Sequence, residues 1–211
     1  MKYVKMLGLA AVAAAALMAF VGASTASATV LCKTAGTSEG TTCPANQAYP
    51  AGTSIHAVNS GITKLTTEFL NIECEESTVE GSTNNEGSAT ETVTGAISIL
   101  TFSKCNCEVV VLKKGTLEVH WTANTNNGTL TSSGAEVTAQ CTVPLIGKVH
   151  CIYATSATNL GTATGGAEAT MDISSADIPR LATSSLCDKT ANWDATYKVT
   201  SPKPLFIAGH T

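Results

Sequence analysis

Charge and aromatic side chains are scarce in this 211-residue chain, at 13% and 5% of residues. Histidine is scarcer still, with four residues, and after residue 28 no segment sustains a 3.6-residue apolar period. The missing helical period excludes a helical domain. The charge balance is acidic, −6 once residues 1–28 and their two lysines are set aside, whereas nucleic acid and anionic membranes reward clustered Lys and Arg. No close Cys/His group is accompanied by a second one, so no complete ligand set for a metal is spelled out and no cofactor is expected. No Gly-x-Ser-x-Gly elbow is expected in the mature chain, and no other signature fixes a nucleophile for a Ser–His–Asp triad.

Long apolar runs are confined to the start. Lys2 and Lys5 form a short basic segment, and every residue from Met6 to Val21 is apolar or Gly. Ala26 and Ala28 supply the small side chains that signal peptidase needs at −3 and −1. They predict a removable helical signal peptide at 1–28 and a mature chain from Thr29. The run is at the short end of the ~20 apolar residues of a spanning helix and is Ala-rich, which favours cleavage over anchoring. No twin-Arg pair is present, Leu31 rather than a small residue precedes Cys32, and the apolar run at 205–208 is too short for an anchor. The expectation is a secreted, extracellular protein without a membrane partner after cleavage.

Ser and Thr are what the chain has in quantity: 48 of the 183 residues from Thr29 on, against 26 charged ones. β-Branched Thr lowers helix propensity and suits a pleated surface. A chain of this length buries ~70% of its unfolded surface, enough for one domain with its own core. All eight cysteines lie beyond the leader: Cys32, Cys43, Cys74, Cys105, Cys107, Cys141, Cys151 and Cys187. An even count in an exported chain predicts disulfides. Two pairings are suggested by spacing: Cys32 with Cys43 around a small loop, and Cys141 with Cys151 across a hairpin turned at Pro144–Gly147. Cys105 and Cys107 then compete for the partners left over.

Alternation of apolar and polar residues is the commonest pattern. Leu117, Val119 and Trp121 fall on one face, and residues 193–199 alternate in the same way. Ile97–Leu100 and Val109–Leu112 read as more fully buried strands. Turn signals stand between such runs at Asn84–Gly87, Lys113–Gly115, Asn126–Gly128, Ser133–Gly134 and Gly165–Gly166, with Asn127–Gly128 suited to a type I′ hairpin turn. Short helical turns are expected at most near 174–177 and 185–188. About ten short strands predict an all-β, disulfide-stapled antiparallel β-sandwich, preferred to a barrel. Residues 29–50 are expected to form an irregular, Cys-closed lead-in, 51–207 the β-sandwich domain, and 208–211 a tail.

The runs Leu100–Cys107, Gly128–Val137 and Cys151–Tyr153 resemble a group of exported, Thr-rich proteins from high-GC Gram-positive bacteria. No activity is assigned to that group. The resemblance implies export and β structure and carries over no site residue.

Cys105–Asn106–Cys107 is the sharpest chemical feature, since two thiolates at i and i+2 clasp a soft metal or serve redox chemistry. Two adjacent structural bridges are the preferred reading. His120 and His150 are expected as surface residues, with a metal-binding cross-strand pair as the rival; His56 and His210 carry no motif. Glu68, Glu73, Glu75, Glu76 and Glu80 offer Ca²⁺ ligands or glycosidase carboxylates, against a plain charged edge strand. Trp121 and Trp193 are expected in the core rather than as sugar platforms. The preferred function is a secreted, non-catalytic interaction protein of the envelope or matrix, with an extracellular protein or glycan as partner. Its rivals are a hydrolase using Glu73 or Glu75 with His120 or His150, and a metal- or small-ligand-binding module centred on Cys105 and Cys107.

Overall fold

Side chains in an extended strand point alternately to opposite faces, so the Thr/Val/Ile alternation seats one set inside and leaves the other wet. The computed structural model describes residues 28–37, 42–181 and 186–210; of the signal peptide expected at 1–28, all but Ala28 lies outside the described residues. The strands are β1 (Val30–Cys32), β2 (Ser54–Asn59), β3 (Thr63–Thr66), β4 (Asn71–Thr83), β5 (Val93–Cys105), β6 (Glu108–Lys113) and β7 (Thr116–Trp121). After them come β8 (Asn127–Ser133), β9 (Glu136–Val143), β10 (Gly147–Ala154), β11 (Thr158–Thr164), β12 (Thr170–Pro179), β13 (Thr190–Ser201) and β14 (Phe206–Ala208). No helix occurs among the described residues.

The fold is all-β, antiparallel and disulfide-stapled, and it is built from several sheets. The largest runs β12–β11–β8–β7–β5–β4–β2–β13, and β13 pairs back onto β12 from Thr170↔Lys198 to Pro179↔Thr190. Eight strands therefore also close as a barrel, with β3 paired beside it to both β4 and β13. A three-stranded sheet, β10–β9–β6, packs against this ring, and β1 pairs with β14 as a third, two-stranded sheet. Ring closure needs bends. Gly81 marks a register shift in β4, where an added Cβ would run into the Ala96 carbonyl oxygen. Gly161 does the same in β11, at φ +144° and against the Asp172 carbonyl.

Leu130, Ile173, Tyr197 and Val199 from the ring share one buried cluster with Ala139, Val149 and Tyr153 from the small sheet. Residues 29–50 are fastened to the other end of the chain. Val30 pairs with Ala208, the Tyr49 hydroxyl donates to the Pro204 carbonyl at 2.6 Å, and Cys43 N–H donates to the Gly209 carbonyl at 3.1 Å.

Four sequence expectations change. The β9–β10 hairpin turns around Leu145, at φ +69°, which sets Cys141 opposite Val149 and leaves Cys151 opposite Ala139, two positions out of register for a bridge. Asn127–Gly128 lies inside β8; the turn before it runs from Thr122 to Asn127 with Asn124 at φ +62°. Residues 174–177 stay in strand β12, with a bulge between Ile173 and Ala176. Ile99, Val110 and Leu112 are solvent-exposed, because their strands have one covered face rather than two.

Candidate functional site

At Cys105–Asn106–Cys107 the chain leaves one sheet for another. Lys104 turns it at φ +52°, after which β6 joins β9 rather than continuing beside β5. Asn106 is locked onto β4: its N–H donates to the Glu73 carbonyl (3.0 Å), its Oδ1 accepts the Glu73 N–H (2.9 Å), and its Nδ2 donates to the Asn71 carbonyl (2.9 Å). The two cysteines part with the sheets. Cys105 bonds Cys74, directly opposite on β4, and Cys107 bonds Cys141 on β9. Cys151 bonds Cys187, which joins β10 to the β12–β13 connection, and Cys32 bonds Cys43. All eight cysteines are thus in disulfides. No thiolate remains at the i, i+2 pair, and no group of His, Cys, Asp or Glu able to hold a metal occurs among the described residues.

The acidic strand is a row of cross-strand ion pairs. Glu73 meets Lys64 at 3.1 Å and Glu76 meets Lys104 at 2.5 Å. The Lys64 ammonium beside Glu73, helped by Asn71, holds that carboxyl below the usual range; Lys104 and Ser103 do the same for Glu76, and Glu76 in turn raises Lys104. His120 lies 3.4 Å from Glu118 on its own strand, and His150 is exposed on β10. Among the described residues neither imidazole ion-pairs with a glutamate of β4. The combination of Glu73 or Glu75 with His120 or His150 is therefore not assembled, since their strands belong to separate parts of the two sheets.

Two arrangements were missed by sequence reading. His56 Nε2 lies 3.3 Å from Glu80 Oε1, and its Nδ1 touches the Thr200 hydroxyl, which gives a hydroxyl–imidazole–carboxylate line across β13, β2 and β4. Pairing register alone produces it: Glu80 is opposite His56, and Thr200 is next to the residue opposite it. The Thr200 hydroxyl donates to the His56 carbonyl at 3.1 Å, and the imidazole and carboxylate stand partly exposed on neighbouring strands, a surface row of cross-strand partners. Gly36–Thr37–Ser38–Glu39–Gly40 spells the nucleophile-elbow pattern, with Ser38, Glu39 and Gly40 outside the described residues. That elbow works at a strand-to-helix turn; here the pattern falls in sequence between the bonded Cys32 and Cys43, and its serine lies outside the described residues.

Both tryptophans are engaged. Trp193 stands edge-on to Phe102 and Tyr197, with ring centres 6.3 and 6.4 Å away, and Trp121 Nε1 donates to the Thr125 carbonyl at 2.8 Å while Gly209 lies against its ring.

What remains is the edge of the small sheet. β6 pairs with β9 on one side and with no strand on the other among the described residues. Val110 and Leu112 are 44% and 51% exposed there, with Glu108 before them and Lys113 and Lys114 after them. A groove of about 490 Å³ opens at the Glu108 end, lined by Phe69, Asn71, Asn106, Gln140 and Lys148. No protein-family model matches the chain, and neither do any curated protein and any solved structure.

Proposed function

We propose that the chain is an exported, non-catalytic interaction protein of the cell envelope or matrix, which docks another protein along the β6 edge. The observation that carries this reading is the edge itself: a Val-rich strand, apolar toward solvent and paired on one side. An open apolar edge templates pairing with another chain, so proteins guard theirs with charge, bulges or cover. On β6 the guard is light, consisting of terminal charges and a bulge between Val111 and Lys113. Strand addition takes affinity from main-chain hydrogen bonds and specificity from alternate side chains. The fitting partner is an antiparallel segment with an apolar centre and charged ends. β6 of a second copy meets that description, because reversal brings Glu108 toward the lysines at both ends. A glycan fits less well, since sugar platforms need free aromatic faces and both tryptophans are occupied.

Export belongs to the same reading. The apolar leader with Ala26 and Ala28 supports cleavage before Thr29, and four disulfides are consistent with an oxidising compartment. N-terminal mass spectrometry of the exported protein should read Thr29. Sedimentation of the mature chain should show concentration-dependent dimers that vanish in Val110→Lys/Leu112→Lys while circular dichroism stays unchanged. A monomer at every concentration, whose photocrosslinker at Val110 captures no protein in its native envelope, overturns the reading.

A further inference from the structure

The ring interior contains space that its side chains leave unfilled. Two cavities of about 100 Å³ each adjoin there, and Val79, Ile97, Leu117, Leu130 and Met171 line both of them. Val109, Val137, Ala139 and Tyr153 of the small sheet border the first; Leu31, Leu205 and Ile207, from the β1–β14 end, border the second. Protein interiors otherwise pack at the density of organic crystals, with few voids larger than a water molecule. Apolar cavities stay dry, and one of about 150 Å³ takes up benzene. By that measure each cavity takes about four carbons and the two joined about eight.

The buried polar groups on the walls of the first cavity are already satisfied. Tyr197 Oη and Ser77 Oγ are 2.7 Å apart, Ser132 Oγ and Thr155 Oγ1 are 3.0 Å apart, and the Thr63 hydroxyl donates to the Cys74 carbonyl at 3.3 Å. Lys64 lines the first cavity but carries its ammonium out to Glu73. Among the described residues no buried side-chain N or O lacks a partner. A guest therefore finds hydrocarbon on every side and nothing to anchor a charge. Met171, unbranched and with three rotatable bonds, is the adaptable wall between the cavities. Leu100 and Phe102 of β5 and Val109 of β6 line the first cavity, and no ladder joins those two strands.

We propose that the barrel interior is a binding site for an unbranched, uncharged aliphatic chain of about eight carbons, threaded past Met171 to occupy both cavities. The proposal is independent of docking at β6. It is tested by titrating the oxidised mature protein with 1-octanol and with octanoate, read by tryptophan emission and by isotope-filtered NMR. One 1-octanol should bind saturably, with NOEs to the Met171 and Leu130 methyl groups. Octanoate should bind about ten-fold or more weakly at neutral pH, because its carboxylate has no partner inside. Ala163→Leu and Ala139→Leu each fill one cavity and should weaken 1-octanol by a similar factor. Absence of saturable binding, octanoate binding as tightly as 1-octanol, undiminished affinity in the filled variants, or NOEs confined to exposed Phe69, Leu145 and Ile146 each overturn it. If a filled variant fails to fold, the wild-type NOEs decide.

Discussion

Two sheets part at Asn106, and they solve the edge problem in different ways. The ring closes through β12 and β13, so its eight strands are paired on both sides over at least part of their length. The three-stranded sheet ends at β6, with no strand paired beyond it among the described residues. Similar sequences feed both: Ile97–Leu100 lies in the ring and Val109–Leu112 in the small sheet. Closure holds a strand through hydrogen bonds on either flank, whatever its neighbours in sequence. The small sheet is held by packing on one face, by a backbone bridge from β10 to the chain after β12 (Tyr153 opposite Arg180, Leu181 N–H to the Ile152 carbonyl at 2.9 Å), and by covalent links, of which Cys151–Cys187 reaches across to the ring. The ring is held by closure with one disulfide of its own, Cys74–Cys105, whereas the small sheet depends on its links to the ring.

The largest effect expected is from cutting disulfides, one inside the ring and one between the two parts. Cys74–Cys105 spans 31 residues and Cys151–Cys187 spans 36, so chain entropy gives each about 3–4 kcal/mol. Their consequences differ by place. Cys74→Ser/Cys105→Ser removes a link between strands that a ladder already joins, and should lower global stability alone. Cys151→Ser/Cys187→Ser should also let β6, β9 and β10 open below the global free energy, seen as fast amide exchange in those strands with the ring still protected. Equal exchange in both variants would show that the two sheets unfold as one unit.

Much of this contrast was legible in the sequence, and its decisive part was not. Period-two patterns at Leu117–Trp121 and Trp193–Val199 placed β7 and β13, because alternation is local. The glycines at 115 and 134 marked turns, and both have positive φ. Cysteine parity and the leader pointed to bridges, but pairing depends on register. A hairpin centred on Leu145 and not one residue later was enough to misplace Cys141. An apolar run such as Val109–Leu112 reads the same whether both faces are covered or one. Which sheet it joins depends on the turn at Lys104–Cys107. The His56–Glu80 pair joins residues distant in sequence, and no local pattern announces it.

The next effect concerns the two buried tyrosines, one on each side of the parting. Burial inside the ring pushes the Tyr197 hydroxyl up to about 12, against a small downward pull from its hydrogen bond with Ser77. Tyr153 in the small sheet is raised by burial and by Asp188, with Arg180 opposing. Unfolded tyrosine ionises near pH ~10, so the folded state keeps a proton that the unfolded state loses between there and 12. The contribution of Tyr197 is full below pH ~10 and falls away above it, about 2–3 kcal/mol in all. Tyr197→Phe should lose about 1–3 kcal/mol at neutral pH, from the orphaned Ser77 hydroxyl, and flatten the alkaline decline. Denaturant melts from neutral to strongly alkaline pH check both. A decline equally steep in the variant would assign it elsewhere.

The smallest effect tests whether charge helps hold the open edge. Lys113 Nζ lies 2.8 Å from Glu136 Oε2, with the lysine side chain 68% exposed and the carboxylate's 12%. Lys203, in the connection after β13, meets Glu168, in the connection before β12, with both carboxylate oxygens at 3.0 Å, yet the glutamate is 73% exposed. Solvent screening brings such pairs to about 0–1 kcal/mol, and the half-covered Glu136 pair should stand nearer the top of that range than the Glu168 pair. Lys113→Ala should therefore speed amide exchange along β6 measurably, while Lys203→Ala leaves exchange in β12 and β13 as it was. High salt should shrink the first effect. If Lys113→Ala leaves β6 as protected as before, the β9 ladder and the Cys107–Cys141 bond hold the edge by themselves, and the lysines at its end are free to meet a partner.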